Sequence, residues 1–333
     1  MAIEGRLVRY GDLKPCLNAF IDTRSPGSDK KENFTIIGPG VSENPDQHIH
    51  IAIPHGFNIG GARQPPGCLN SQHAHLTAEV FLVHSGTWAF RTGEHASDGE
   101  IILTEGDVIS LPTDVFRGFE NVGNDMGYLY AILGGDDPGR VMWAPSVFDM
   151  AKDYGLVLLE DGSLVDTVAG QTVPAGKQAM PRTTAAQVAS LQYIGSEQLN
   201  DIVVRAGAYQ WTDDTLLSGF EGVSEAALLG PANPDESVPA ASLDWSHDFV
   251  FRAVSMTSGS VIPMHIRSEE EVIFVLQGSL KIQVEHETIE LGRGDTFTTP
   301  IGAARSFTNR GDRDCRFYVT RRGDRPKPPV FIS

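Results

Sequence analysis

Cysteine is scarce in this chain. Its three cysteines, Cys16, Cys68 and Cys315, lie far apart and form no CxxC pair, so neither a disulfide framework nor a thiolate metal cluster is expected and reduced thiols are the simplest reading. Positive charge is also in deficit: 26 Lys and Arg stand against 43 Asp and Glu, a formal net charge of -17. Nucleic acid and anionic membrane surfaces, which need clustered positive charge, are excluded as main partners. No apolar run approaches the ~18 residues of a membrane span. The opening MAIEGRLVRYGDLKP lacks a basic stretch followed by an apolar one, so no signal peptide is expected and the assigned compartment is cytoplasmic. The sequence has no GxxxxGK[ST], no GxSxG and no GxGxxG. Nucleotide hydrolysis, serine-hydrolase chemistry and dinucleotide cofactors therefore have no support.

What is abundant points to strands and turns. The 333 residues include 35 glycines and 20 prolines, and 41% are hydrophobic, enough for a sizeable core. The chain also repeats itself once. Gly67, His73, Glu79 and Gly86 recur as Gly259, His265, Glu271 and Gly278. Gly106, Asp107, Pro112, Arg117, Phe119 and Asn121 recur as Gly294, Asp295, Pro300, Arg305, Phe307 and Asn309. The second block is offset by four residues fewer than the first, which places an insertion in the TGEHASDGE loop of the first copy. Within the repeat, Leu280, Ile282 and Val284 alternate with polar residues, the period of a half-buried strand, and Val272 to Leu276 is continuously apolar. Short strands at this spacing imply a sandwich or barrel per copy. Between the copies, Pro145 opens a helical pattern that Gly155 can stop, and Thr184 with Gln187 makes a capping box. The division expected is an N-terminal arm over 1–30, a first barrel over 31–145, a helical linking segment over 146–200 and a second barrel over 201–333.

The chemistry-bearing residues cluster in the first copy. His73 and His75 share a face of an extended strand, and Glu79, six residues from His73, returns to that face if the strand stays regular. Two imidazoles and one carboxylate are a facial ligand set with open positions, suited to Fe(II), with Mn, Ni or Zn also compatible. His84 is expected to face away from this site. His55 could line its mouth. Trp88 and Phe90 are read as core packing, with an aromatic wall as the alternative.

These spacings resemble the cupin superfamily, whose pattern is Gly-x5-His-x-His-x3,4-Glu-x6-Gly followed by Gly-x5-Pro-x-Gly-x2-His-x3-Asn. Gly67, His73, His75, Glu79 and Gly86 satisfy the first motif, and Gly106, Pro112 and Asn121 satisfy part of the second. With two copies the chain resembles a bicupin. That resemblance implies an all-β architecture of two double-stranded β-helix (jelly-roll) barrels with a short helical linking segment, any metal sitting in a barrel mouth. The departures are as informative. Arg117 and Arg305 stand where the second motif supplies a histidine, and Asp114 replaces a glycine. Arginine stays protonated and is no metal ligand. Arg117 therefore either orients a substrate oxyanion by a two-pronged hydrogen bond, the catalytic role assigned to it here, or pairs with Glu79 in place of a metal. In the second copy Arg267 also replaces a histidine, so that barrel is expected to bind no metal, serving for packing or, through Arg267 and Arg305, as an anion pocket.

The function expected from this resemblance is a metal-dependent oxidoreductase, a dioxygenase acting on a hydroxylated aromatic or enol-type small molecule. The alternatives are a metal-assisted lyase, isomerase or decarboxylase, and a non-catalytic small-ligand binder. A homo-oligomer is expected on general symmetry preference and on the resemblance, with the apolar stretch Leu17 to Ile21 available to cross to a neighbour.

Overall fold

The computed structural model describes residues 3–332. The chain forms two compact units, Lys14–Pro54 with Asn58–Val203, and Met1–Leu13 with His55–Phe57 and Val204–Ser333. Each is built on two facing antiparallel-rich sheets. In the first, one sheet runs Val203–Val204, Val108–Leu111, Glu79–Ser85, Gly127–Gly134, Phe57–Gln64, Glu32–Ile37, Ile49–Ile51. The other runs Met142–Trp143, Leu69–Ala74, Arg117–Asn121, Trp88–Thr92, Gly99–Leu103. The second unit repeats this order. Its larger sheet runs Leu7–Val8, Thr296–Thr299, Glu271–Gln277, Cys315–Arg322, Phe249–Met256, Val223–Leu229, and its smaller one Glu287–Leu291, Leu280–Val284, Arg305–Thr308, Val261–Ile266, Val330–Phe331. The predicted all-β pair of jelly-roll barrels is thus the fold, and the duplication in sequence is a duplication of strands.

The alternation read from the sequence sets the cores. Leu280, Ile282 and Val284 point into one apolar cluster with Ile273, Val275 and Phe317. Trp88, Phe90, Phe81 and Phe119 fill the first barrel, so Trp88 and Phe90 are core residues. The inserted loop lies where expected: six residues separate strands ending at Thr92 and starting at Gly99, against two between Val284 and Glu287.

The contact units differ from the boundaries drawn on the sequence. The arm divides after Leu13: Leu7–Val8 adds an edge strand to Thr296–Thr299, whereas Phe20 and Ile21 pack with Trp143 in the first unit. The stretch Leu17 to Ile21 is therefore engaged within its own unit, leaving Leu17 exposed. The helical segment packs on the first barrel. The helix Pro145–Asp153, with Pro145 in its first turn, buries Val147 and Ala151 beside Trp143, and Leu199 of the helix Ser196–Asp201 joins the barrel core. Thr184 and Gln187 form the anticipated capping box of Ala185–Ala189. Among the described residues no helix is long and apolar enough to cross a membrane.

Candidate metal centre

His73 and His75 project from the end of the strand Leu69–Ala74, and Glu79 begins the next strand, in the opposite sheet. The chain turns between them, so no regular strand carries Glu79 back. It returns because Leu76–Ala78 folds the chain from one sheet to the other, which brings one ligand-type atom of each residue within 4.8 Å of the others. All three are buried. The imidazole rings lie 4.8 Å apart and nearly perpendicular.

The tautomer of His73 is fixed by its surroundings. Its Nδ1 lies 2.7 Å from the Ser71 carbonyl, which can only accept, so Nδ1 carries the hydrogen and Nε2 keeps its lone pair. Burial and the nearby Arg117 push the His73 pKa down to about 3, and they hold His75 well below its usual value. Both rings are neutral at physiological pH, the state a metal requires. Glu79 Oε2 lies 3.4 Å from His75 Nε2 and has no hydrogen-bond partner, nor has His75 Nδ1. Burial, opposed by Arg117, pushes the Glu79 carboxyl up to about 7. A buried carboxylate short of positive charge, beside two neutral imidazoles, is a donor set that fits a divalent cation.

Arg117 pairs in register with His73 across the smaller sheet. Its Nε is 3.8 Å from Glu79 Oε2, and its terminal nitrogens donate to the carbonyls of Val115 and Pro112 at 3.3 Å. Burial lowers its pKa to about 10, so it remains charged. The cavity over the site, about 80 Å³, is lined by His73, His75 and Glu79 together with Asn33, Asn70, Phe20 and Trp143, among others, but not by Arg117. The guanidinium thus backs Glu79 from outside the cavity, because the two backbone carbonyls draw its fork away. Asp114, in place of the motif glycine, keeps the left-handed conformation of its counterpart Gly302, with φ of 58° and 75°, a state that aspartate tolerates. His84 is buried against Tyr128 and, as expected, does not line the cavity. His55 belongs to the other unit, its Nε2 2.7 Å from Thr298 Oγ1; the expectation that it lines the mouth is corrected, because its neighbours in sequence are drawn into the second barrel.

In the second barrel the same positions form an ion network. Glu271 receives Arg321 at 2.6 Å and Arg267 at 3.3 Å. Arg267 and Arg252 share Glu236, each at 2.7 Å. Burial works against the ionised Glu271, but Arg321, Arg267 and Arg305 outweigh it and hold its pKa far below the usual range. Three cavity-lining residues of the first barrel, Asn33, Gly60 and Leu133, have as counterparts Glu225, Arg252 and Arg321. Charged side chains thus occupy the space that forms a cavity in the first barrel. Nothing in the spacing of the motifs announced Arg321, Arg252 or Glu236, which come from strands and a loop outside them.

A model of the cupin domain matches residues 253–321, the core of the second barrel, where the framework glycines and proline survive although the histidine pair does not. Solved structures match along nearly the whole chain. An oxalate decarboxylase of Lactobacillus farciminis in complex with formate has 12% identity and a TM-score of 0.59, over 98% of this chain and 88% of that one. A Bacillus subtilis oxalate decarboxylase with Mn(II) centres has 11% identity and a TM-score of 0.55, over 98% and 79%. The chain has a bicupin fold. AerE from Microcystis aeruginosa also shares it, with 13% identity, a TM-score of 0.51 and coverage of 99% and 100%. At these identities the likeness is one of fold, and no curated protein matches the sequence significantly. Within this bicupin the two barrels have diverged: one keeps a cavity over His73, His75 and Glu79, the other fills the equivalent space with arginine and glutamate.

Proposed function

We propose that the first barrel is a metal-dependent catalytic site that acts on a small molecule by redox-neutral chemistry of the decarboxylase, lyase or isomerase type. The observation that carries this is the contrast between two equivalent carboxylates. Glu271 is surrounded by arginines at 2.6, 3.3 and 3.9 Å, whereas Glu79 has one guanidinium, at 3.8 Å, and its other near neighbour is the His75 ring at 3.4 Å. Charge missing at Glu79 is charge that a cation would supply.

His73, His75 and Glu79 would hold the metal, with Mn(II) preferred over the Fe(II) of the sequence reading, since a fold neighbour is described with Mn(II) centres. A divalent metal there supplies Lewis acidity toward a substrate oxygen. Around it, the Ser71 carbonyl keeps the His73 lone pair on Nε2, and Trp143, 5.4 Å from the His73 ring, restrains the ring's tilt. Arg117 steadies the ionised form of Glu79 without entering the cavity. The phenylalanine, valine, leucine and tryptophan side chains around the cavity lower its polarity, which strengthens each of these electrostatic contacts.

Oxalate decarboxylases are among the fold neighbours, which favours lyase chemistry over a dioxygenase. The experiment is a CO2-release and oxygen-uptake assay of the Mn(II)-reconstituted chain on a panel of 2-oxo and 3-oxo acids, in air and under argon. Turnover undiminished under argon and lost in His75→Ala is expected. Oxygen uptake stoichiometric with turnover restores the dioxygenase reading. We also propose a closed homo-oligomer; a monomeric mass by light scattering at micromolar concentration would overturn it.

A further inference from the structure

The wall of the first-barrel cavity contains no lysine and no arginine. The buried cations next to it are already engaged. Lys31 pairs with the Asp22 carboxylate and donates to Asn70 Oδ1 at 2.8 Å. Arg117 is committed to Glu79 and two carbonyls. What the cavity offers instead is amide hydrogens. The Lys31 ammonium has donors only, so it fixes the Asn70 amide with its oxygen toward Nζ and leaves Nδ2 facing His73, 3.4 Å from Nδ1. That ring nitrogen already gives its hydrogen to Ser71 and cannot accept another, so the Asn70 Nδ2 lacks an acceptor. Asn33, which lines the same cavity, also has a buried Nδ2 with no partner. Thr35, Ser42 and Gln47 also line it but are engaged, Thr35 Oγ1 donating to Gln47 Oε1, Gln47 Nε2 to the Pro39 carbonyl and Ser42 Oγ to the Ala19 carbonyl; most of the remaining wall is apolar, with Phe20, Phe34, Val41, Leu133, Val141 and Trp143.

We infer that this site takes a single-headed monocarboxylate with an apolar tail, its oxygens facing the amide of Asn70 beside His73 and that of Asn33 in the same cavity wall, and its tail against the aromatic and branched side chains. The inference rests on the proposed metal centre only for the location of the head. A dicarboxylate would carry a second negative charge into a wall without a cation, and an unpaired buried charge is among the costliest groups to desolvate. Neutral amides, by contrast, satisfy one carboxylate beside a metal without demanding a second charge.

Titration calorimetry with acetate, propanoate, butanoate and succinate tests this, on the full chain with and without Mn(II), metal content being measured on the same samples. Affinity should rise about fourfold per added methylene from acetate to butanoate, and succinate, which replaces the butanoate methyl with a carboxylate, should bind at least about tenfold more weakly. Asn70→Leu should weaken butanoate by about tenfold or more. Asn33→Leu, at a half-buried position, should do the same. Succinate binding as tightly as butanoate, a flat chain-length series, or both variants binding as wild type overturns the inference. A flat series at full metal content sinks this inference and spares the metal centre. The expected series in protein that takes up no metal supports it and sinks the metal reading.

Discussion

Arg117 and Arg305 occupy equivalent places in the two barrels and share two contacts. Each holds its Nε about a van der Waals contact from the glutamate of its motif, 3.8 Å from Glu79 Oε2 and 3.9 Å from Glu271 Oε1. Each places Nη2 on the carbonyl of the motif proline, at 3.3 Å on Pro112 and 2.9 Å on Pro300. The second barrel has lost one histidine of the pair, yet its arginine keeps this geometry. That argues for a positioning role shared by both copies. The substrate-facing role read from the sequence would belong to the first copy alone.

Arg117 can be probed from two sides. Arg117→Lys keeps the charge but cannot reach both carbonyls, so it should cost about 1–3 kcal/mol of stability in urea titrations. Arg117→His removes a cation and adds an imidazole beside Glu79, so competition with a chelating dye should show at least about tenfold tighter metal binding. Unchanged metal affinity in Arg117→His would mean that the side chain at this position does not reach the centre.

His75→Ala should abolish metal binding, measured by elemental analysis after purification without chelator and supply of Mn(II), Fe(II) or Zn(II). Wild type should hold one metal per chain. The thermal midpoint of the metal-free variant should stay within a few degrees of metal-free wild type, because the strands that present the ligands are fixed by their own ladders. Two metals per chain, or well under one in wild type, contradicts the assignment.

Glu271→Gln should destabilise the chain by about 3–5 kcal/mol, since it leaves Arg321 and Arg267 buried without their shared counter-charge. The pH dependence has a definite sign. The folded pKa of Glu271 lies below the ordinary glutamate value of 4.5, so its contribution is fully present above that value and is lost as pH falls from there toward the folded pKa. Urea midpoints of wild type should drop between pH 6 and pH 3, more steeply than those of the variant. Parallel pH profiles would refute the network's role.

Glu43 has the opposite sign. Burial pushes its carboxyl up from 4.5 to about 8, although Trp143 Nε1 and the Ile21 amide donate to it at 2.6 and 2.7 Å. The folded state then holds the proton more tightly than the unfolded one. The contribution is fully present below about pH 4.5 and is lost as pH rises to about 8, at up to about 1.4 kcal/mol per pH unit. Glu43→Gln stays neutral, so its stability should be flatter over that window, at the cost of the Ile21 hydrogen bond. Denaturant titrations at pH 5, 7 and 9 check this, and a wild-type slope equal to that of the variant would exclude it.

Much of the fold follows from local pattern. The period-two alternation at Leu280–Val284, the framework glycines, and the helix signals at Pro145 and Thr184 are local backbone preferences, and they hold wherever the chain goes. Pairing His73 with His75 follows the same logic, because two residues apart on a strand is one face. Other features depend on which strands become neighbours. Glu79 joins the histidines through a turn between two sheets, and Arg117 is drawn off the cavity by carbonyls of its own loop. Asn70 acquires its orientation from Lys31, 39 residues away in sequence. The second barrel is plugged by Arg252 and Arg321, which meet Glu236 and Glu271 only when distant strands close. Spacing alone sets which face of its own strand a side chain occupies, whereas the charge, hydrogen bond or empty space across from it is supplied by another segment, and only the folded chain decides that.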